Sequence, residues 1–309
     1  MSISKEDITR VKGRGFLLNR GTEAFSGRVV TAGGSYSAEE LEAIAACARL
    51  YGNGRVLMTG RLSAEISGIP YDKIEAAEAF LAEHSLFFGG TGAKVRPIPA
   101  CKGSTCVFGN IDTQALAKEL HARFYIGMAQ VKLPHKYKIA VGGCPNSCMK
   151  PSINDVGIEG HTEFTYNSKL CRGCGKCAKL CPMKAISVID GKAVIDDIKC
   201  IHCGVCIGKC AFGAIPEKGE AYCTVYAGGT WGKKQRIGTA LSGKFSPSEV
   251  GDIVERILLW YKDRGYAGER LGSAIDRVGE KNFEAELFSE NLTARRDEIL
   301  AASVKEKNE

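Results

Sequence analysis

The sequence predicts an α+β protein: one mixed helix–strand domain interrupted by a small cysteine-rich insert. Three observations predict it. Short strand-like runs alternate with amphipathic helical stretches from about 20 to 166. Residues 168–216 are Cys, Gly and Lys in short blocks, with too few large apolar side chains for a conventional core. After 219 the alternation returns. The expected divisions are 1–166, 167–218 and 219–309, the outer two forming one domain.

In chain order, RVVTAGG (28–34) reads as a strand running into a Gly-Gly turn. Ser37-Ala38-Glu39-Glu40 is a capping box that opens a helix through Leu41, Ile44, Ala45 and Ala48, ended by Gly52. RVLMT (55–59) is the next strand, 72–84 a second helix and 112–128 a third. YKIAV (137–141) alternates as a strand does, which sets Lys136 and Lys138 on one face. AYCTVYAGG (221–229) is a strand entering another Gly-Gly turn. Ser246-Pro247-Ser248-Glu249 caps a helix to about Arg264, with Pro at its first position. The polar tail from about 288 is helical or frayed, and Trp231 with the aromatics near it reads as core.

Composition bounds the function. With 309 residues, 44% hydrophobic and 25% charged, the chain has room for about two domains and is neither disordered nor collagen-like. No apolar run approaches the ~20 residues that span a bilayer. The opening MSISKEDITRVKGRGF lacks an apolar stretch, so no secretory signal and a cytoplasmic location are expected. Fourteen cysteines are then the outlier, because reducing compartments favour metal ligation over disulfides. The net charge of +7 is dispersed along the chain and does not point to nucleic acid. Twelve thiolates around three cluster cores of ~2+ each would bring the loaded chain close to neutral, so the basicity balances buried anions.

Cys171, Cys174, Cys177 and Cys181 follow Cys-x2-Cys-x2-Cys-x3-Cys-Pro, and Cys200, Cys203, Cys206 and Cys210 repeat it with Ala211 in place of Pro. This is the spacing of a two-cluster 4Fe–4S ferredoxin, in which the fourth Cys of each run serves the other cluster. Cys171, Cys174 and Cys177 thus pair with Cys210, and Cys200, Cys203 and Cys206 with Cys181. PMKAI and AFGAI after the runs mark the internal repeat. Zinc knuckles are the alternative, and they do not use this spacing twice without a His ligand. His202, inside the second run, reads as a solvent-facing loop residue. By itself the block implies electron transfer and names no reaction.

Cys101 and Cys106 in ACKGSTC, with Cys144 and Cys148 in GGCPNSC, form a second constellation in Gly-rich loops. On spacing alone they read as a metal site of some kind, zinc included, with two unrelated thiol pairs as the alternative. Cys-x4-Cys followed at distance by GCPN-x-Cys resembles the sirohaem–4Fe–4S signature of the sulfite and nitrite reductases. Arg28 before Gly33-Gly34, Thr59-Gly60-Arg61, LPHKYK (133–138) and the segment 225–280 resemble further motifs of that family. The inserted ferredoxin block is a feature of its dissimilatory-type branch, and the chain is similar to the C subunit of anaerobic sulfite reductase. Leu62 stands where relatives commonly carry Gln, and many have x5 where this chain has x4.

The resemblance implies a sulfite-reductase-like mixed domain holding sirohaem and three 4Fe–4S clusters, which reduces sulfite to sulfide by six electrons. Cys101, Cys106, Cys144 and Cys148 would hold the third cluster, with Cys148 bridging it to the sirohaem iron and Asn146 touching a sirohaem carboxylate. Arg28, Arg61, Lys136 and Lys138 would grip the oxyanion and deliver protons. Nitrite reduction to ammonia with the same cofactors stays open, as does a haem-free iron–sulfur electron carrier. No dinucleotide fingerprint is present, so electrons are expected from a partner protein, a ferredoxin or a flavoprotein subunit. A homo-oligomer is expected, because family members with two reductase repeats form a pseudo-dimer. Cys47 and Cys223 read as inert buried thiols. GGTGAK (89–94) lacks the Walker spacing, and its amides are candidates to meet a sirohaem carboxylate. His84, His121 and His161 have no assigned role.

Overall fold

Period-two burial builds the first sheet of this protein, for which the computed structural model describes residues 3–307. The strands are β1 (Phe16–Leu18), β2 (Ala24–Val29), β3 (Val56–Met58), β4 (Ala64–Pro70), β5 (Ile139–Gly142), β6 (Val156–Glu163), β7 (Ile186–Ile189), β8 (Lys192–Ile195), β9 (Glu220–Ala227) and β10 (Thr239–Ala240). The helices are α1 (Lys5–Gly13), α2 (Ala38–Tyr51), α3 (Ile74–Glu83), α4 (Thr113–Leu120), α5 (Lys176–Leu180), α6 (Val250–Arg264), α7 (Leu271–Val278), α8 (Glu280–Leu287), α9 (Glu290–Ala294) and α10 (Arg296–Ala301). The chain divides into two compact units. One comprises residues up to Pro99, Ala117–Ile139 and Glu255 onward, and the other Ala100–Leu116 and Ala140–Val254.

In the first unit an antiparallel sheet runs β1-β2-β4-β3. Phe25 and Val29 of β2 and Ala64, Ile66 and Ile69 of β4 turn to one face. There they meet Ala43, Ile44, Cys47 and Ala48 of α2 and Ile74, Ala77 and Leu81 of α3. The expected capping box of α2 forms: Glu40 N–H donates to Ser37 Oγ and Ser37 N–H to the Glu40 carboxylate, and Gly52 ends the helix. Gly27 is required by packing, since a Cβ there would lie 2.6 Å from the Phe88 ring, which packs on Phe16 at 4.6 Å. Register sets Arg28 opposite Glu65 on β4.

The closing helices belong to the same unit. Trp260 on α6 is buried edge-on against Phe283 and donates from Nε1 to Glu286 at 2.8 Å. Lys262, only 3% exposed, ties α6 down by donating from Nζ to the carbonyls of Lys132 (3.0 Å) and Ala302 (2.8 Å). Burial holds its pKa below the usual lysine value.

The second unit is organised on β10-β9-β6-β5. β6 and β9 pair antiparallel over eight residues, from Val156 opposite Ala227 to Glu163 opposite Glu220. β6 is buried on both faces, Glu159 and His161 included, which its polar residues hid from the hydropathy pattern. β5 is wholly buried and delivers the chain into Gly143 and Cys144. Inside the cysteine-rich block, β7 and β8 form a hairpin closed by Asp190 and Gly191, both at positive φ, the turn that matches strand twist.

Four expectations change. The helix expected over 112–128 ends at Leu120 and continues as a π turn over His121–Ile126, a wider turn in which His121 and Phe124 are both buried. The strand expected at 137–141 begins at Ile139, while Tyr137 makes an isolated parallel bridge to Val95. The Ser246–Glu249 box closes one turn early: Ser246 N–H donates to the Glu249 carboxylate at 2.7 Å and α6 starts at Val250. Trp231 is not core. It is 63% exposed, held outward on the short loop closed by the Thr230–Arg236 bridge, while nearby Phe245 is buried. The polar tail is helical, as α9 and α10.

Ile66→Ala removes a fully buried side chain from the first sheet and should cost ~2–5 kcal/mol in urea denaturation. Leu57→Ala on neighbouring β3, 56% exposed, should stay within ~0.5 kcal/mol. Equal losses would contradict this assignment of the core face.

Candidate functional site

In the second unit the cysteines gather into three sets. One cavity is lined by Cys171, Cys174, Cys177 and Cys210, another by Cys181, Cys200, Cys203 and Cys206. The fourth cysteine of each run thus crosses to the other run's three. α5 turns Cys177 and Cys181 toward different cavities, and positive φ at Gly173, Gly175, His202 and Gly204 bends both runs. The third set occupies loops after β5 and after Ala100. Cys101 N–H donates to Val141 O at 3.1 Å, and Cys101 Sγ accepts from Gly143 N–H at 3.2 Å. Cys144 is buried and within electrostatic reach of Cys101, Cys106 and Cys148, while Cys148 is exposed. The Asn146 backbone N–H is directed at the Cys144 thiol, and Ser147 and Lys150 at positive φ wind the loop that carries both.

These sulfurs sit in fields suited to thiolates bound to a cationic core. Cys171 is pulled down to about 7 by the Tyr166 hydroxyl and then by the N–H groups of Gly173 and Ala193, each 3.4 Å from its Sγ. The Tyr166 hydroxyl is buried and has no hydrogen bond of ordinary geometry, and the polar groups it meets are this thiol and the Ala193 backbone. Backbone N–H groups led by Ile215 lower Cys210, and Cys181 Sγ accepts from Ala185 N–H at 3.3 Å. Against this, burial pushes Cys206 up to about 12 and raises Cys144 and Cys200. The charges of Cys203 and Cys181 add to the shift at Cys200. Burial and mutual repulsion disfavour four bare thiolates, and a metal core between them relieves both. Among the described residues no three His, Cys, Asp or Glu side chains converge closely enough for a single metal ion. An all-thiol donor set spread around a cavity fits the larger 4Fe–4S core.

The first unit holds the cations. A cavity of about 280 Å³ is lined by Arg28, Arg61, Lys136 and Lys138, brought together from β2, the turn after β3 and the segment before β5. Thr59 shapes that turn: its Oγ1 accepts from the N–H groups of Arg61 and Ser63, and Leu62 takes φ 60°. Arg61 is fixed by donating from one Nη to Pro97 O (2.9 Å) and Ile139 O (2.8 Å). Arg28 is clamped between the Glu65 carboxylate and Gly90 O, each at 3.2 Å. Tyr137 pairs by backbone with Lys94 and Arg96 and is buried, so its neighbours Lys136 and Lys138 turn the other way into the cavity.

Sequence reading missed two polar side chains of the lining. Arg96 shares the Gly90 carbonyl with Arg28 and makes a fifth cation, and Ser63 is a buried hydroxyl without a hydrogen-bond partner. The parallel pairing of 94–96 with Tyr137 was the available signal for Arg96, and Pro97 and Pro99 obscured it. In the 89–94 loop the Gly90 N–H is taken by Tyr125 Oη at 3.0 Å, and it is the Gly90 carbonyl that faces the guanidiniums.

Cys47 and Cys223 lie outside all three sets, fully buried, with burial pushing their thiols to about 11 and about 12. His121 is buried and its imidazole is driven down to about 4 by desolvation. His84 caps α3 by its ring contact to Phe80 O. His161 packs on Tyr222 and lies 3.4 Å from Glu159. His202 is half-buried rather than solvent-facing, its ring edge-on to Tyr222. No described helix is long and apolar enough to cross a membrane.

Comparison with known proteins agrees with this chemistry. Residues 91–295 match the family model described as the nitrite and sulphite reductase 4Fe-4S domain, and residues 19–84 that of the nitrite/sulfite reductase ferredoxin-like half domain. The coenzyme F420-dependent sulfite reductase of Methanocaldococcus jannaschii is 34% identical over 260 residues, covering 82% of this chain and 40% of that protein. The C subunit of the anaerobic sulfite reductase of Salmonella typhimurium is 31% identical over 183 residues, covering 53% and 52%. The chain thus spans about half or less of these two relatives. In fold it is similar to the crystal structure of dissimilatory sulfite reductase I, with a TM-score of 0.69 at 21% identity over 86% of this chain and 69% of that one. The expected α+β sulfite-reductase-like fold and the resemblance read from the motifs both hold, and the chain belongs to the nitrite and sulphite reductase 4Fe-4S domain family.

Proposed function

We propose that this chain is the catalytic part of a cytoplasmic, sirohaem-dependent sulfite reductase that takes sulfite to sulfide by six electrons. The observation that carries the reading is the convergence of Arg28, Arg61, Lys136 and Lys138, with Arg96, on one cavity. An electron carrier has no use for five cations around a small cavity, whereas a doubly charged oxyanion needs them to leave water. The bound cofactors would supply a reducing iron centre and one-electron relays. In this reading Cys101, Cys106, Cys144 and Cys148 would hold one 4Fe–4S cluster, and Cys148 and Asn146 are the residues of this set that would contact the sirohaem. The other eight cysteines hold two further clusters in the insert, residues 167–218.

Chain residues carry the acid–base work. Glu65 and Gly90 O hold Arg28, and two carbonyls hold Arg61, so both guanidiniums are oriented before the anion arrives. Lys136 and Lys138 present ammonium groups, which can give protons to oxygens leaving as water and be refilled through the open side of the cavity. The donor is an electron-carrier protein, a ferredoxin or flavoprotein subunit, and the active form is an oligomer of this chain.

Anaerobically purified protein should show sirohaem absorption bands, ~12 cluster irons and one haem iron. Iron and sulfide without a tetrapyrrole would identify a carrier, and faster turnover of nitrite than of sulfite with reduced methyl viologen would reassign the substrate. Lys138→Met should lower kcat/KM for sulfite by ~10²–10³ at unchanged iron content, against little change for Lys132→Met. Cys148→Ser should abolish turnover and Cys47→Ser should not; equal losses would remove the ligand assignment. Tyr166→Phe should make the cluster at Cys171 harder to reduce in an EPR redox titration, since a group that stabilises added negative charge on sulfur is gone. An unchanged potential would leave Tyr166 a packing residue only.

A further inference from the structure

The two cysteine cavities of the insert differ in what surrounds them. The contacts of Cys171 stay within the block and with Tyr166 at its entry: its Sγ accepts from Gly173 and Ala193, and its carbonyl from Lys192 Nζ at 2.7 Å. The Cys200–Gly204 stretch is instead bound to β6 and to the first cysteine loop. Thr162 N–H donates to His202 O at 2.9 Å, and His161 Nδ1 lies 3.0 Å from Ile201 O. Gly204, at φ 76°, packs so tightly that a Cβ there would lie 2.6 Å from Thr162 Cγ2 and 2.9 Å from Asn110 Oδ1. Asn110 in turn donates its backbone N–H to Gly143 O at 2.8 Å, and Gly143 N–H donates to Cys101 Sγ at 3.2 Å. A path of covalent bonds, two hydrogen bonds and one through-space step at the close approach of Gly204 to Asn110 therefore leads from Cys203 to Cys101.

We propose that the Gly204–Asn110 contact is the bridge by which electrons leave the insert. The cavity of Cys181, Cys200, Cys203 and Cys206 is then the last relay before the Cys101 set, and the cavity of Cys171, Cys174, Cys177 and Cys210 is the first. The assignment rests on the clusters of the proposed function and goes beyond it by fixing their order and naming a positioning pair. Each transfer oxidises the cluster at Cys200 by one electron and reduces the cluster at Cys101 by one, with no bond made or broken. The ultimate reductant is a low-potential one-electron donor, supplied in the test as the methyl viologen radical. Glycine is needed at 204 because a side chain would clash with Asn110 and adopt a left-handed backbone. Asn110 is needed because its side chain meets the relay loop while its main chain holds the Cys101–Cys144 loops.

The test uses substrate-free holoprotein mixed with viologen radical, freeze-quenched and followed by EPR, with iron and sulfide analysed in parallel. Gly204→Ala and Asn110→Leu should slow electron arrival at the Cys101 cluster severalfold, because both disturb the closest approach of the relay loop to the Asn110 side chain. Reduction of the two insert clusters should keep its rate. Asn110→Gln, which retains a carboxamide able to donate to Gly160 O as Asn110 Nδ2 does at 3.4 Å, should recover part of the rate at the same iron content and so separate the bridge from mere folding. Unchanged arrival in Gly204→Ala and Asn110→Leu at full iron content would overturn the bridge and leave the function standing. Wild-type protein with fewer than three clusters would overturn both.

Discussion

A thiolate buried in protein persists only where its charge is met, and this requirement organises the second unit. Burial pushes Cys206, Cys144 and Cys200 upward, and the crowding of other thiols adds to it. Backbone N–H groups work in the opposite direction at Cys171 and Cys210, and others donate to the sulfurs of Cys101 and Cys181. Amides can aim at sulfur in this way only in tight loops, which accounts for the positive φ angles at Gly173, Gly175, Ser147 and Lys150 and for the scarcity of regular structure between 167 and 218. The hairpin β7–β8 adds the minimum of sheet needed to bury Ile186 and Ala193 against the cavities.

The first unit solves the reverse problem, holding like charges close together. Its means include backbone carbonyls and the Glu65 carboxylate. Gly90 O accepts from both Arg28 and Arg96, Pro97 O and Ile139 O accept from Arg61, and Glu65 pairs with Arg28 across β2 and β4. A carbonyl orients a guanidinium while neutralising little of its charge, so the cavity keeps a strong positive potential for an entering anion. The sheet β1-β2-β4-β3 beneath it, with its core of Phe25, Ile66 and Ile69, supplies the rigidity such crowding demands.

How much of this could be read from the residues follows from the range of the interaction concerned. Local chemistry was legible: the Ser37–Glu40 box formed as written, Gly52 ended its helix, and the spacing of the two cysteine runs anticipated which four would line each cavity. The four cations were found through resemblance, since nothing local distinguishes Arg28 from a solvated strand residue. Features set by distant partners were hidden. β6 hides its burial because Glu159 and His161 look like surface residues until Tyr222 and Tyr226 cover them. Trp231 failed for the same reason, as an aromatic after a Gly-Gly turn carries no sign of whether a partner exists. The π turn at 121–126 answers to the burial of both His121 and Phe124, a tertiary demand that no helix propensity encodes.

The two solutions meet in the charge of the whole chain. A formal +7 looks like an affinity for polyanions until the centres it must balance are counted. Thiolate clusters carry net negative charge, and an oxyanion adds more, so a chain built this way needs surplus cations merely to approach neutrality when loaded. Where those cations sit then decides what they do. Lys192, donating to the Cys171 carbonyl, tightens a cysteine loop, whereas Lys136 and Lys138 flank buried Tyr137 and open onto the cavity of about 280 Å³. Under the proposed function same-sign charge is thus divided between the electron path and the substrate, and what divides it is backbone geometry: loops of left-handed residues in one unit, a sheet and a turn at Thr59 in the other.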